Sequence, residues 1–200
     1  MDARTDEQLL GEHLSGVAGA FDHLVGRYAG ELYGFLMRYV GSASAADDLV
    51  QDTFVQVHVA GATFDPSRSF KPWLYTIAAN KARDFMRSRG RRMELSLESS
   101  LTRGDGDGAG LGDVIEAAAE RPGASLESME REAAVRAVIE RMPEHLRMIL
   151  LMGYFQQLPY ADIAEVLKIP IGTVKSRLHA AVQHFAEQWR TRGMKEVIEP

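Results

Sequence analysis

Residues 159–185, PYADIAEVLKIPIGTVKSRLHAAVQHF, hold two short amphipathic helical patterns with a tight connection between them. In the first pattern, apolar residues recur at the spacing of one helical face: Tyr160, Ile163, Ala164 and Leu167. The second pattern has an apolar stripe of its own: Ile171, Val174, Leu178, Ala181, Val182 and Phe185. Pro170 separates the two, because proline ends one helix and suits the start of the next. This arrangement is typical of a helix-turn-helix, whose second helix enters the DNA major groove.

The polar face of the second helix carries side chains suited to duplex DNA. Arginine can bridge two acceptors of guanine, and hydroxyl groups can bond to bases or phosphates. The predicted duplex-binding residues are Thr173, Lys175, Ser176 and Arg177. A helical hairpin with a solvated polar face has the same periodicity, so this stretch by itself leaves both interpretations open.

The charge distribution favours a nucleic-acid partner even though the net charge is −5. Residues 68–92 hold 8 basic and 1 acidic side chains, whereas residues 93–132 hold 3 basic and 10 acidic ones. A concentrated basic block is the electrostatic footprint of a nucleic-acid-binding surface. The chain has 0 cysteines, which excludes a disulfide scaffold and fits a reducing compartment.

Helical periodicity runs along most of the chain, and no strand-like alternation stands out. The patterns predict helices over residues 6–40, from Ser42 or Ser44 to Ala60, and over residues 71–89. They resume at Leu126 after a stretch rich in Gly, Ser and acidic residues. We therefore predict an all-α fold with two small helical domains, residues 8–92 and 126–190, joined by a flexible acidic linker of residues 93–125.

The helix predicted over residues 71–89 has a core stripe and, half a turn away, an aromatic and polar stripe. An aromatic ring, an amide and two guanidinium groups can stack on unpaired bases and bind phosphates. This second stripe contains Trp73, Thr76, Asn80, Arg83 and Arg87. In the alternative interpretation Trp73 belongs to the core and the arginines are solvated.

No catalytic or metal-binding pattern is present in the sequence. Its six histidines form no HExxH motif, and no Walker loop, dinucleotide-binding glycine pattern or GxSxG motif occurs. We expect neither an enzyme nor a cofactor. No apolar run reaches the ~20 residues of a membrane span, and the first ten residues lack the features of a signal peptide. We therefore expect a cytoplasmic protein without a membrane partner.

Five stretches together resemble the extracytoplasmic-function (ECF) type of bacterial RNA polymerase sigma factor, in the sigma-70 family. YADIAEVL and IGTVKSRLH are similar to the helix-turn-helix of that family's region 4, and RMPEHLRMILLMGYFQQLPY to the helices before it. ADDLVQDTFVQV and FKPWLYTIAANKARDFMRSRGRR are similar to successive segments of its region 2. The resemblance covers residues 8–92 and 126–190.

The resemblance implies a role for each surface. In the family the acidic face of one region 2 helix binds core RNA polymerase; the corresponding residues are Asp48, Leu49, Gln51 and Asp52. The Trp73 stripe would melt and read the −10 promoter element as a single strand, and the turn beginning at Phe64 would help to hold a flipped base. Thr173 to Arg177 would read the −35 element as duplex. Partners implied are core RNA polymerase, promoter DNA and a separate inhibitor, an anti-sigma factor.

The chain departs from the family pattern in the helix-turn-helix. Lys168 stands where the family usually has glycine, and lysine is strained if that position is left-handed. Ala180 and Val182 stand where the family often has arginine, which implies weaker binding at −35. Two alternatives remain at this stage: a stand-alone helix-turn-helix regulator that binds a palindrome as a dimer, and an interaction protein with a degenerate DNA face.

Overall fold

The protein is described from a computed structural model, which covers residues 4–103 and 126–191, with side chains for residues 4–92 and 130–191. Within these ranges the chain is helical and contains no strand, which confirms the all-α prediction. The α-helices are α1 Asp6–Leu14, α2 Ala20–Val40, α3 Ala43–Ala60, α4 Phe70–Arg103, α5 Leu126–Arg141, α6 Glu144–Leu150, α7 Tyr160–Leu167 and α8 Ile171–Thr191. None of the described helices is long and apolar enough to cross a membrane.

Local sequence signals explain where the first helices begin and end. Thr5 and Gln8 form a reciprocal capping box at the start of α1. The helical pattern predicted over residues 6–40 is broken between α1 and α2, where Gly19 has a φ of 78° that other residues rarely adopt. Ser42 caps α3 by accepting a hydrogen bond from the Ala45 N–H at 3.4 Å, as one of the two predicted caps.

Helix α4 is the central element of the N-terminal half. Its core stripe includes Leu74, Ala78 and Ala82, which are fully buried. The helix continues to Arg103, well beyond the predicted end near residue 89, because residues 93–103 contain neither glycine nor proline. The backbone of residues 93–103, the start of the predicted linker, is therefore helical. The rest of the predicted linker, residues 104–125, lies outside the described residues.

The C-terminal half is built from α5 to α8. Pro143 separates α5 from α6, as predicted, and α6 continues into a short π-helical turn, Leu151–Phe155. Ile163 and Val166 of α7 and Val174 of α8 are buried, so the apolar faces of the helix-turn-helix meet. Near the end of α8, Trp189 packs into a smaller cluster with Ala134 and Val138 of α5.

The two halves pack directly against each other. Helix α4 contacts α7, and α2 contacts α5 and the π-helical turn. A single buried cluster contains residues of both halves, among them Phe35, Leu74, Ile139, Leu151 and Ile163. The sequence predicted two domains connected through a linker, and it gave no sign of this shared core.

Candidate nucleic-acid and protein interfaces

The polar face of α8 is open to solvent. Burial of Val174 and Ala181 turns Lys175 and Ser176 outward, while Thr173 and Arg177 are half-buried at its edges. The Ser176 hydroxyl donates to the Thr173 carbonyl at 3.2 Å. The four predicted duplex-binding residues therefore lie on one surface of the second helix of the helix-turn-helix, where a major groove can reach them.

The turn before α8 contains Lys168, for which strain was predicted if its backbone is left-handed. Lys168 has φ 53° and ψ 47°, and its N–H donates to the Glu165 carbonyl at 3.2 Å. The Ile169 N–H donates to the Ala164 carbonyl at 3.0 Å and completes the cap of α7. These bonds fix the exit of α7 and the direction in which α8 starts.

Part of the predicted apolar stripe of the helix-turn-helix is wrong. Tyr160, Ile171 and Val182 are exposed, although the periodicity placed them with the core residues. Tyr160 and Ile171 are the first residues of α7 and α8, where the preceding loop turns the side chain away from the core. Val182 follows the buried Ala181 and lies about 100° around the helix from it, beyond the edge of the buried stripe.

The stripe predicted on α4 is present, and its polar groups are bonded along their own helix. Arg83 donates through Nη2 to Asn80 Oδ1 at 2.7 Å and through Nε to a backbone carbonyl at 3.2 Å. Arg87 pairs with Asp84 at 3.2 Å, and the Thr76 hydroxyl donates to the Pro72 carbonyl at 2.9 Å. These bonds hold the polar groups of the stripe along α4.

Trp73 lies partly in the core and partly at the surface, so both interpretations that the sequence left open apply to it. It is half-buried, and its ring lies 5.0 Å from that of Phe64 and 5.9 Å from that of Phe70, measured between centroids. The cluster fixes one side of the indole against the core and leaves part of it accessible for stacking. Next to Phe64, the Ser67 hydroxyl and N–H donate to Asp65, which lowers the pKa of that carboxyl and orders the turn.

The acidic face of α3 is exposed, but one of the four residues predicted to bind a partner there is buried. Asp48, Gln51 and Asp52 all point to solvent, and Asp52 has a distant ion pair with Lys81 at 3.9 Å. Leu49 lies about 100° around the helix from Asp48, and it is only 6% exposed because it packs in the core. Its place among the partner-binding residues remains a prediction.

Two further residues share this face of α3. Val55 and Val59 are 61% and 67% exposed and follow Asp48 and Asp52 at helical spacing. No signal in the sequence distinguishes these two valines from the buried Val57 between them. The exposed face of α3 therefore consists of an acidic first half and an apolar second half.

The structure offers no metal centre in the described residues, where no group of three or more His, Asp or Glu side chains converges. The nearest approach to such a group is a pair of histidines, His13 of α1 and His58 of α3, whose ring nitrogens lie 2.8 Å apart. Burial and the neighbouring His58 lower the pKa of His13, and Asp22 opposes this shift.

The described residues thus form a helical protein with three chemically different exposed faces, on α3, α4 and α8. The family model of sigma-70 region 2 matches residues 24–92, and that of sigma-70 region 4 matches residues 132–185. The chain belongs to the ECF group of the sigma-70 family of bacterial RNA polymerase sigma factors. It is therefore a factor that directs transcription initiation.

Individual relatives cover nearly the whole chain. The chain is 36% identical to the RNA polymerase sigma-H factor of Pseudomonas aeruginosa over 88% of its length and 89% of that protein. It is 30% identical to the ECF sigma factor SigW of Bacillus subtilis, over 86% of its length and 89% of that protein. These relatives do not favour a stand-alone regulator, since both match through region 2 as well as the helix-turn-helix.

Solved structures share the fold. The sigma factor RpoE of Bartonella quintana, determined with the anti-sigma factor NepR, matches with a TM-score of 0.68 and 24% identity over 86% of this chain and 98% of that one. CnrH, determined with the cytosolic domain of CnrY, matches with the same TM-score and identity over 94% of this chain and 99% of that one.

Proposed function

We propose that the chain binds core RNA polymerase through the exposed face of α3 and reads the promoter through two separate helix faces. The observation that carries this proposal is the presence of three exposed faces with different chemistry on one small protein. The face of α3 is acidic and apolar, that of α4 is aromatic and basic, and that of α8 is hydroxyl-bearing and basic.

The α4 face suits the −10 element as melted single strand. Trp73 offers a partly exposed ring for base stacking, and Asn80, Arg83 and Arg87 offer an amide and two guanidinium groups for bases and phosphates. Phe64 and the turn to Ser69 border the exposed edge of the indole, where an unstacked base can be held. The bonds along α4 support this role, because a preordered surface loses less freedom on binding.

The α8 face suits the −35 element as duplex. Arg177 can bridge O6 and N7 of a guanine, while Lys175, Thr173 and Ser176 can bond phosphates or bases. The cytoplasm is the compartment in which polymerase and promoter meet this protein. The protein itself forms and breaks no covalent bond, because the polymerase catalyses RNA synthesis.

Inhibition by an anti-sigma factor is part of the same proposal. The two solved structures that share the fold were each determined with a second protein, NepR in one case and CnrY in the other. A protein of that kind would cover one or more of the three faces and keep this factor from polymerase or promoter.

Polymerase binding is tested with charge reversal on α3. Asp48→Lys and Asp52→Lys together should weaken core binding in a native gel-shift by more than tenfold and abolish run-off transcription. Glu187→Lys on α8 makes the same kind of charge change at an exposed site away from α3 and should bind normally. Failure of the wild-type chain to bind core polymerase would sink the proposal, as would equal binding by the α3 variant.

A further inference from the structure

Two stretches of the N-terminal half contain no Asp, Glu, Lys or Arg, although these residues make up 26% of the chain. One is residues 13–21, HLSGVAGAF, at the end of α1 and in the turn to α2. The other is residues 53–64, TFVQVHVAGATF, in the second half of α3 and the turn after it. Charged side chains are depleted at the centre of protein–protein interfaces. The exposed parts of both stretches are therefore candidates for such an interface.

The fold places the two stretches side by side. His13 Nε2 and His58 Nδ1 lie 2.8 Å apart and join the end of α1 to α3. Leu14 packs over Gly61, where an added Cβ atom would lie only 3.0 Å from Leu14 Cδ2. The Val17 N–H donates to a backbone carbonyl of α1 at 2.9 Å, which holds the turn after α1 against that helix. The two stretches thus form one continuous surface.

Four large apolar side chains on this surface are exposed to solvent. Leu14 and Val17 are each 47% exposed, while Val55 and Val59 are 61% and 67% exposed. Val55 lies one helical turn before His58, so the histidine contact connects the α1 pair to the α3 pair. Among the described residues, all other exposed large hydrophobic side chains lie in the C-terminal half. We call these four residues the apolar patch, and a patch of this kind marks an interaction site.

The apolar patch continues the acidic half of the α3 face. Val55 follows Asp48, and Val59 follows Asp52, by seven residues or about two helical turns, so the four side chains share one side of the helix. A partner that fits the whole surface presents basic groups next to apolar ones. A second copy of this chain is a poor fit, because neither the patch nor the acidic half offers a basic group to Asp48 and Asp52.

We propose that the apolar patch is a second contact for core RNA polymerase, made by the end of α1 and its turn together with the second half of α3. This inference rests on the proposed function and adds α1, which lies outside the region 2 match at residues 24–92. The acidic half attracts basic groups through water, whereas the patch excludes water and gives affinity that salt does not screen. The two halves of the surface should therefore respond differently to ionic strength.

Substitutions confined to the end of α1 give the sharpest test, because they leave α3 unchanged. Leu14→Gln with Val17→Gln should weaken binding to core polymerase about fivefold or more in a native gel-shift titration, and Val59→Gln should have a similar effect. Val182→Gln makes the same change at an exposed valine of α8 and should bind normally. Circular dichroism checks folding, and Val17→Gln alone repeats the test without altering the Leu14–Gly61 contact.

The salt dependence separates the two halves of the surface. The factor lost by Leu14→Gln with Val17→Gln should be the same at about 0.1 M and about 0.5 M salt, because an apolar contact is not screened. The factor lost by Asp48→Lys with Asp52→Lys should shrink at the higher concentration. A loss in the α1 variant that also shrinks would overturn the apolar contact.

The remaining outcomes distinguish this inference from the proposed function. Normal binding by the α1 variants, with the Asp48 and Asp52 variant impaired, would overturn the apolar contact and leave the proposed function intact. Failure of the wild-type chain to bind core polymerase would overturn both. Sedimentation of the free wild-type chain should show a monomer. A dimer that Val17→Gln and Val59→Gln dissociate would mean that the patch binds a second copy instead.

Discussion

The α4 and α8 faces carry similar residue types in different physical states. On α4 the guanidinium of Arg83 and that of Arg87 are each held by a neighbour one helical turn away. On α8, Lys175 and Arg177 have no hydrogen bond or ion pair with any described residue. Ordered groups lose less conformational freedom on binding than mobile ones. Under the proposed function, we therefore expect α4 to bind a single strand as a preformed surface, and the α8 side chains to become ordered on duplex DNA.

Substitution of Arg177 is expected to have the largest effect on that comparison. Arg177→Ala should cost roughly 1–3 kcal/mol in binding to −35 duplex, and the loss should be confined to one base position. Lys175→Ala is the matched control: it should weaken all sequences alike and reduce the salt slope by about 1. Fluorescence anisotropy with a set of single-base variants distinguishes the two. A uniform loss for Arg177→Ala would show that it binds only phosphate.

On the α4 side, Asn80→Ala removes a base-facing amide and the acceptor that orders Arg83. We expect a cost of about 0.5–1.5 kcal/mol, seen as a several-fold loss of permanganate reactivity around the −10 element, with closed-complex binding retained. Asp84→Ala frees Arg87 without removing a predicted base contact and should have a smaller effect. If Asn80→Ala weakened closed-complex binding as much as it reduced permanganate reactivity, the α4 and α8 faces would not have separate roles.

The turn before α8 can be relaxed without touching its DNA face. Lys168→Gly removes a left-handed strain of about 1–2 kcal/mol and adds backbone entropy to the unfolded chain, so a net gain of about 0.5–1 kcal/mol is expected. Chemical denaturation measures this gain, and binding to −35 duplex should not change. Lys168→Ala retains a Cβ atom and should give no comparable gain. Weaker DNA binding by the glycine variant would mean that a stiff turn is part of the α8 surface.

The smallest effect concerns acid sensitivity of the N-terminal half. Burial and His58 lower the pKa of His13, so the folded state favours its neutral ring. Stability from this source is present above the ordinary value of 6.5 and is lost as the pH falls through the lowered one. His13→Gln should therefore flatten the fall in the free energy of unfolding between pH 7.5 and 5.5. An identical pH profile in the variant would show that the pair does not couple to folding.

Sequence reasoning succeeded where a local signal decides the structure. Ser42 was one of two predicted caps, Pro143 ends a pattern, and Lys168 was identified as a position whose strain depends on the turn. The helical period also predicted which residues lie together on the polar stripes, because it determines which residues share a face of a helix. The structure buries Leu49 in the core, as its apolar character suits, whereas the resemblance assigned it to the partner-binding face.

The contact between the two halves could not be predicted from the sequence, for a physical reason. Periodicity shows that a face is apolar but not which other face covers it. Tyr39 fits the core pattern of α2, and nothing in its sequence neighbours points to a carboxylate 105 positions away. Arg147 looks like an ordinary surface arginine, because the carbonyls that receive it belong to helix ends that only the fold brings together.

The polar groups between the two halves are buried, whereas the α8 face is accessible to water, so dissolved salt affects the two sets differently. Under the proposed function, dissolved salt weakens the attraction of Lys175 and Arg177 for phosphates, because both side chains are accessible to water. It acts far less on the buried guanidinium of Arg147 and the hydroxyls of Tyr39 and Tyr75. A rise in salt concentration should thus weaken the proposed DNA binding of α8 while the contacts between the two halves persist, and dilution should restore that binding.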